Sequence, residues 1–429
     1  MCCSNNFSNK ASNLKEDGIA IIGIGFRMPG NIRSKDLFWE ALTSGKDLIS
    51  EVSLERFCKY RFEHPVREVK GHSVTFKAGT CGNLRLFDAS YFKMNKSEAQ
   101  SLDPQQRLVL EMSVDALEDA GIKAEDIKAS NTSVFIGAAS TDMAFVAADD
   151  AAKINAYSMT GTNLSIISNR LSYYYDLHGE SMTIDTACSS SMTAVCKAFE
   201  ALSSGSCDLA FAGGVNVLLS PMPFVGFSQA HMLSANGKCK VFSKDADGYV
   251  RSEGGALLIL KRLSDAVSSL DNIIGVIKAA SLNQDGSTSG IALPNAKAQQ
   301  SLIERVYKDR SLEKLVYVEA HGTGTQAGDP IECSAIGKVL GSRIRDEEDR
   351  SLYIGSVKCN TGHLETASGM AGILKSLLIL KHREIPRQIW VDELNPNIDF
   401  DKLNLKVVRE NIKLDKDISS LQIGINSFG

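Results

Sequence analysis

The chain has 429 residues, 43% of them hydrophobic and 23% charged, with a formal net charge of -4. That length fits two domains or one large α/β unit, and the apolar share is ample for a buried core. The balance of charge speaks against a nucleic-acid partner, and no run reaches the ~18 apolar residues of a membrane span.

Ten cysteines, with no apolar leader before them in MCCSNNFSNK, point to free thiols in a reducing, cytoplasmic setting. No CxxC pair has zinc spacing, so no metal site is expected. Residues 1–17 are rich in Asn, Ser and Lys and are expected to form a disordered tail.

Globular structure begins with a buried strand over Ile19–Gly25, ending in a glycine turn. Pro29 and Gly30 break the spacing that a dinucleotide-binding loop needs, so GIG reads as a tight turn. A short amphipathic helix covers Asp36–Leu42. Residues 50–95 are irregular and aromatic-rich, too long for a simple connection, and are expected to cover a surface or an interface.

A long helix follows at Pro104–Ala120, with Leu108, Leu110, Met112, Leu117 and Ala120 on its buried side. Thr132–Ala138, Met182–Asp185, Asp208–Val215 and Gly255–Leu260 read as short buried strands. Met192, Val195, Cys196, Phe199 and Leu202 recur at helical spacing.

From about residue 273 the order starts again. Strands are expected at Ile273–Ala279, Leu315–Val318 and Tyr353–Val357. They alternate with helices at Ala296–Tyr307, Pro330–Leu340 and Thr366–Leu380. Short apolar strands alternating with helices imply an α/β fold with both sheet faces covered.

Cys188 sits where the Met182–Asp185 strand meets the next helix. Unpaired N–H groups and the helix dipole at such a junction favour thiolate over thiol. The expectation is therefore a nucleophile at neutral pH. His321 and His363 lie far downstream in Gly/Thr-rich loops that follow strands, where α/β active sites gather. One cysteine with two loop histidines suggests covalent acyl chemistry.

Six strings then carry a family resemblance: DPQQR from Asp103, DTACSSS around Cys188, DADGYVRSEG from Asp245, EAHGTGTQAGDPIE around His321, KCNTGHLE around His363, and the terminal GINSFG. They occur in the order found in β-ketoacyl synthases, and the resemblance covers residues 18–429. It implies the thiolase fold, two similar halves stacked in five α-β-α-β-α layers, here 18–265 and 266–429, usually as a homodimer. The family continues past the final SFG with one more strand, so the last strand is expected to be truncated.

The resemblance also implies roles. Cys188 takes the acyl group, while His321 and His363 drive decarboxylation of a malonyl-type extender. Lys358 is buried and supplies charge near the second histidine, with Glu332 as its expected partner. Asp329 is read as a cap for a helix starting at Pro330. Thr323 and Thr325 bind the amides of a phosphopantetheine arm. Phe428 gates the acyl pocket, and the N–H groups of Cys188 and Phe428 form the oxyanion hole. No cofactor bound by this chain is implied, because the arm is supplied by an acyl carrier protein or domain. An acyltransferase domain in cis or trans would be a further partner. DTACSSS, GDPIE and DPQQR together look like type I megasynthases, polyketide synthases ahead of fatty acid synthases. A Cys–His hydrolase and a non-catalytic dimerisation scaffold are the rival readings.

Overall fold

The computed structural model describes residues 18–147, 150–415 and 420–429, together with the backbone of Cys2–Asn5. Eleven strands make the main sheet: β1 (Cys2–Asn5), β2 (Ile19–Arg27), β3 (Thr132–Gly137), β4 (Ser181–Ile184), β5 (Leu209–Asn216), β6 (Gly254–Arg262), β7 (Gly275–Ala279), β8 (Leu315–Glu319), β9 (Leu352–Gly355), β10 (Leu405–Val407) and β11 (Leu421–Ile425). The helices that matter here are α1 (Pro104–Ala120), α2 (Ser165–Tyr175), α3 (Ser190–Ser204), α4 (Ala296–Tyr307), α5 (Gly328–Ile336) and α6 (Ser368–His382).

Hydrogen bonding runs through the strands in the order β10-β9-β8-β11-β1-β7-β2-β6-β5-β3-β4. Within it, β2-β6-β5-β3-β4 has two antiparallel steps followed by two parallel ones. The set β7-β1-β11-β8-β9 has the same sequence of directions. The restart near residue 273 is thus a repeat of topology. The two halves join where β2 pairs antiparallel with β7.

Period-two alternation sorts each strand between two layers of core. Val134 and Ile136 pack in one apolar cluster with Leu108, Met112 and Leu117 of α1 and with Ile167 and Leu171 of α2. Phe135, between them, packs in another cluster with Val195 and Leu202 of α3 and Ile373 and Leu377 of α6. That central cluster also takes Tyr317, Ile423 and Ile425 from the second half. Val318 and Ile354 face outward to Ile303 and Val306 of α4 and Ile336 of α5. Helices, sheet, helices, sheet and helices therefore stack as the five layers of a thiolase fold.

Several expectations change. Residues 1 and 6–17 of the expected tail lie outside the described residues. Cys2–Asn5 is a strand instead, filling the slot between β11 and β7 and pairing backbone groups that would otherwise be open. β4 is an edge strand rather than a buried one, and Met182 on it is 37% exposed. Within 50–95, Lys77–Gly79 pairs with Ile49–Glu51 in a two-stranded antiparallel ladder. The eight cysteines among the described side chains are free thiols.

Candidate active site

The fold brings four loops together, each at the carboxyl end of a parallel strand. Cys188 follows β4, His321 follows β8, Lys358 and His363 follow β9, and Phe428 follows β11. This is where α/β sheets leave polar backbone groups free to meet a ligand.

The Cys188 loop is tightly determined. Ala187 has φ +53°, a left-handed conformation that costs a non-glycine residue about 1–3 kcal/mol. Its own N–H donates to Asp185 Oδ1 at 2.9 Å, and its carbonyl accepts Ser190 Oγ at 2.6 Å. Thr186 N–H donates to that same Ser190 Oγ at 2.9 Å. Helix α3 starts immediately after and packs close on the sheet. A Cβ on Gly137 would come within 2.4 Å of Ser191 N, so β3 must end in glycine there. The Cys188 carbonyl accepts Ser368 Oγ at 3.1 Å and Ser427 Oγ at 3.2 Å, which ties the loop to α6 and to the terminal segment.

Both histidines are held by their main chains and by Nδ1. His321 N–H donates to Glu332 Oε1 at 2.7 Å, and Gly322 N–H donates to Oε2 at 2.8 Å. His363 N–H donates to Val250 O at 2.7 Å, while Ser252 N–H donates to His363 O at 2.8 Å. Nδ1 of His363 accepts Glu365 N–H at 2.8 Å, and Nδ1 of His321 accepts Phe428 N–H at 3.3 Å. Burial, and then the Lys358 charge, push both imidazoles well below their ordinary range. A neutral ring whose Nδ1 accepts carries its proton on Nε2. The site thus holds two neutral N–H donors, with ring centroids 5.6 Å apart and planes at 86°. Cys188 Sγ, a ring nitrogen of His363 and a carboxylate oxygen of Glu365 all lie within 4.8 Å of one another.

Two family models match the chain: the N-terminal domain of β-ketoacyl synthase over residues 16–266 and its C-terminal domain over 274–392. The chain belongs to the β-ketoacyl synthase family. It is 41% identical over 421 residues to a phenolphthiocerol/phthiocerol polyketide synthase of Mycobacterium tuberculosis, covering 98% of this chain and 22% of that protein. It is 39% identical over 449 aligned positions to a probable polyketide synthase of Dictyostelium discoideum, covering 99% of this chain and 14% of that protein. The chain therefore spans about a fifth or less of these curated relatives. Among solved structures, the oxazolomycin ketosynthase domain from Streptomyces albus JA3453 superposes with a TM-score of 0.91 at 32% identity, covering 96% of this chain and 73% of that one. The ketosynthase from module 6 of the bacillaene synthase of Bacillus subtilis 168 gives 0.86 at 33%, covering 96% and 70%. The solved structures it resembles are ketosynthase domains, and the curated relatives are polyketide synthases.

In this member of the family the Cys188 thiol departs from the thiolate expected at a strand-to-helix junction. Burial, and next the Glu365 carboxylate, push the Cys188 thiol up to about 12. Lys358 and Arg251 pull the other way and lose. The helix dipole is worth only about 0.3–1 kcal/mol in most settings, less than the cost of holding an anion away from water. Cys188 therefore rests as a thiol.

Lys358 is buried as expected, but it does not pair with Glu332. Its Nζ donates to the His321 carbonyl oxygen. The Glu332 oxygens are occupied by the N–H groups of His321 and Gly322 and by Asn426 Nδ2 at 3.2 Å. The acid whose charge most favours the Lys358 ammonium is Glu319, which is itself ion-paired with Lys375 at 2.9 Å. Glu319 also accepts Tyr317 Oη at 2.7 Å and Val357 N–H at 2.5 Å, so it props the loop that carries Lys358.

Thr323 and Thr325 face one another, Oγ1 to Oγ1 at 3.4 Å, and Thr325 Oγ1 also accepts Gly328 N–H at 3.0 Å. Asp329 does not cap the helix. Helix α5 begins at Gly328, and the Asp329 carboxylate accepts Phe242 N–H at 2.8 Å and Gly324 N–H at 3.1 Å, bracing the threonine loop. Burial raises Asp329 to about 7. The Phe428 ring lies 5.8 Å from His321.

Two charged residues of the site escape the sequence reading. Arg251 Nε donates to Glu365 Oε1 at 2.8 Å, both side chains being buried. They lie inside the strings DADGYVRSEG and KCNTGHLE, and that is the signal the sequence offers for them. Cys188, His363 and Glu365 are the set of potential metal donors that clusters among the described residues. Glu365 is already committed to Arg251, and Lys358 adds a second cation nearby, so the charges oppose a metal ion there. No helix among the described residues is long and apolar enough to cross a membrane.

Proposed function

We propose that this ketosynthase carries out decarboxylative Claisen condensation on carrier-bound thioesters during polyketide assembly. An acyl group passes from the pantetheine thiol of a carrier protein to Cys188. A second carrier presents a malonyl-type thioester. As CO₂ leaves, the thioester oxygen gains enolate charge, which the Nε2–H groups of His321 and His363 receive. The enolate carbon attacks the Cys188 thioester, and the bond from the acyl carbon to Sγ breaks. The β-ketoacyl product remains on the second carrier, while the released Cys188 thiolate takes up a proton from solvent.

The observation that carries this reading is the pair of neutral, orthogonal imidazoles, with that of His363 beside the Cys188 thiol. A hydrolase needs one base for one water; two fixed N–H donors suit charge that develops on oxygen. Burial, and then the Lys358 charge, keep the rings neutral. Thr323 and Thr325 offer hydroxyls to the pantetheine amides, and Phe428 lines the acyl side. In this resting geometry Phe428 N–H rests on His321 Nδ1 at the long distance of 3.3 Å, so it is weakly held and free to turn to an oxyanion.

We assign the partners as an acyl carrier protein or domain, an acyltransferase domain and a second copy of this chain, in the cytoplasm. The unpaired edge of β4 and the exposed Phe145, Val146, Ile154 and Met159 of the same half support a dimer. Incubation with acyl-carrier and malonyl-carrier thioesters tests the reaction. Condensation releases CO₂ and lengthens the chain, whereas free acid alone would sink the reading.

A further inference from the structure

The Arg251–Glu365 pair takes no part in the steps above, yet it borders the thiol. It is a built feature. Glu365 has φ +50°, a left-handed conformation that a non-glycine residue adopts at a cost. Its N–H is committed to His363 Nδ1 and its carboxylate to Arg251. Arg251 lies in a segment zipped to His363, with the His363 N–H and carbonyl bonded to the residues on either side of it. Its guanidinium lies 4.8 Å from the Phe224 ring and 5.2 Å from Phe227. Arg251 Nη1 has no hydrogen-bond partner, although it is buried.

The charges facing Cys188 are Glu365, Lys358 and Arg251, with the neutral His363 and Tyr249 beside them. Glu365 raises the thiol's proton affinity more than either cation lowers it. A carboxylate oxygen within 4.8 Å of Sγ acts on whatever acyl group is delivered to that sulfur.

We propose that Glu365 is a specificity-determining residue, whose carboxylate screens Cys188 against anionic acyl donors and leaves uncharged acyl thioesters free to load. In the loading step the carrier's carbon–sulfur bond breaks and a bond from that carbon to Sγ forms. The Cys188 proton goes to the departing pantetheine thiolate. A malonyl-type thioester would bring its own carboxylate to the same place and meet like charge. The enzyme so separates a loading substrate from an extending one at a single thiol, with Arg251 setting how strongly the carboxylate acts. This deepens the condensation reading and rests on Cys188 being the acylated thiol.

The test uses two alkylating probes of similar size on the full chain: neutral iodoacetamide and anionic iodoacetate. Cys188 labelling is followed by peptide mass spectrometry between pH 7 and 9, below the titration of the thiol, where a move of the profile to lower pH reads as faster labelling at each pH and a move up as slower. Glu365→Gln should lower the iodoacetamide-to-iodoacetate rate ratio by about tenfold and move the labelling profile to lower pH. Arg251→Gln leaves the carboxylate unopposed, so the ratio should rise and the profile should move up. The double variant Arg251→Gln/Glu365→Gln, which buries no lone charge, should behave like Glu365→Gln. A ratio in both glutamine-365 variants within twofold of the parent, or a shift in the same direction for Glu365→Gln and Arg251→Gln, overturns the assignment. Alkylation reads the charge at the thiol whether or not condensation occurs, so its failure is distinct from failure of the reaction scheme.

Discussion

Glu332 accepts the main-chain N–H of His321 at 2.7 Å, and with its second oxygen it accepts the next N–H, of Gly322, at 2.8 Å. It therefore aims the histidine through the backbone, without touching the imidazole or Lys358. A carboxylate can serve both N–H groups because it has only acceptors. Glu332→Gln places an amide N–H₂ against one of them. The expected result is a loss of about 1–3 kcal/mol of stability in denaturant titration. Chain extension should fall, with Cys188 loading retained. Unchanged extension would show that the His321 loop holds its position without this carboxylate.

The Glu319–Lys375 ion pair is buried at both ends, with side-chain exposures of 3% and 4%. Removing one partner of such a pair strands a charge at a cost of about 3–5 kcal/mol. Lys375→Met should show that loss in chemical denaturation. Lys375→Met/Glu319→Gln should recover most of it, because Oε1 of the glutamine can still accept Val357 N–H. A double variant no more stable than Lys375→Met would point to packing rather than charge.

The chemistry of single loops is legible in the sequence, while their mutual pairing is not. Strand, turn and helix around Cys188 follow from apolar periodicity, and the positions of His321 and His363 after strands follow from the same pattern. What escapes is anything decided by burial or by distant partners. A helix starting beside the thiol argues for an acidic one, and neither burial nor Glu365 is visible in the local string. Charge in neighbouring motifs suggests pairing Glu332 with Lys358, whereas the backbone of His321 has the stronger claim on that carboxylate. Arg251 and Glu365 meet across 114 residues of chain. The repeat of topology is visible as a restart near residue 273, but the slot filled by Cys2–Asn5 is not, since four small or polar residues carry no periodic signal.

Loading and extension should separate by residue. Cys188→Ala removes the acyl acceptor, so intact-mass measurement should find no acyl adduct, while slow decarboxylation of a malonyl thioester continues on the two imidazoles. His363→Ala leaves the thiol and should still load. Its extension rate should fall about 10²–10³-fold, the size of effect seen when one donor to developing negative charge is lost. Normal condensation in His363→Ala would remove this ring from the reaction.

The pH dependence follows from the two neutral rings. Both imidazoles are pushed well below 6.5, first by burial and then by Lys358. Malonyl decarboxylation should therefore show no inflection near pH 6.5, and its acid limb should lie lower. Lys358→Met removes a cation that disfavours the imidazolium, so the acid limb should move up towards the ordinary histidine range. Stability carries the same sign. Each ring stays neutral when folded and binds a proton when unfolded, so this contribution is complete above about pH 6.5 and is lost as pH falls towards the folded value, at about 1.4 kcal/mol per pH unit. Buried Asp329, raised to about 7, acts in the opposite sense between about pH 4 and 7, so wild type alone would hide the effect. The stability difference between wild type and His363→Ala isolates it, since Asp329 is common to both. That difference should shift in wild type's disfavour as pH falls below 6.5, and a difference independent of pH would mean that His363 titrates alike folded and unfolded.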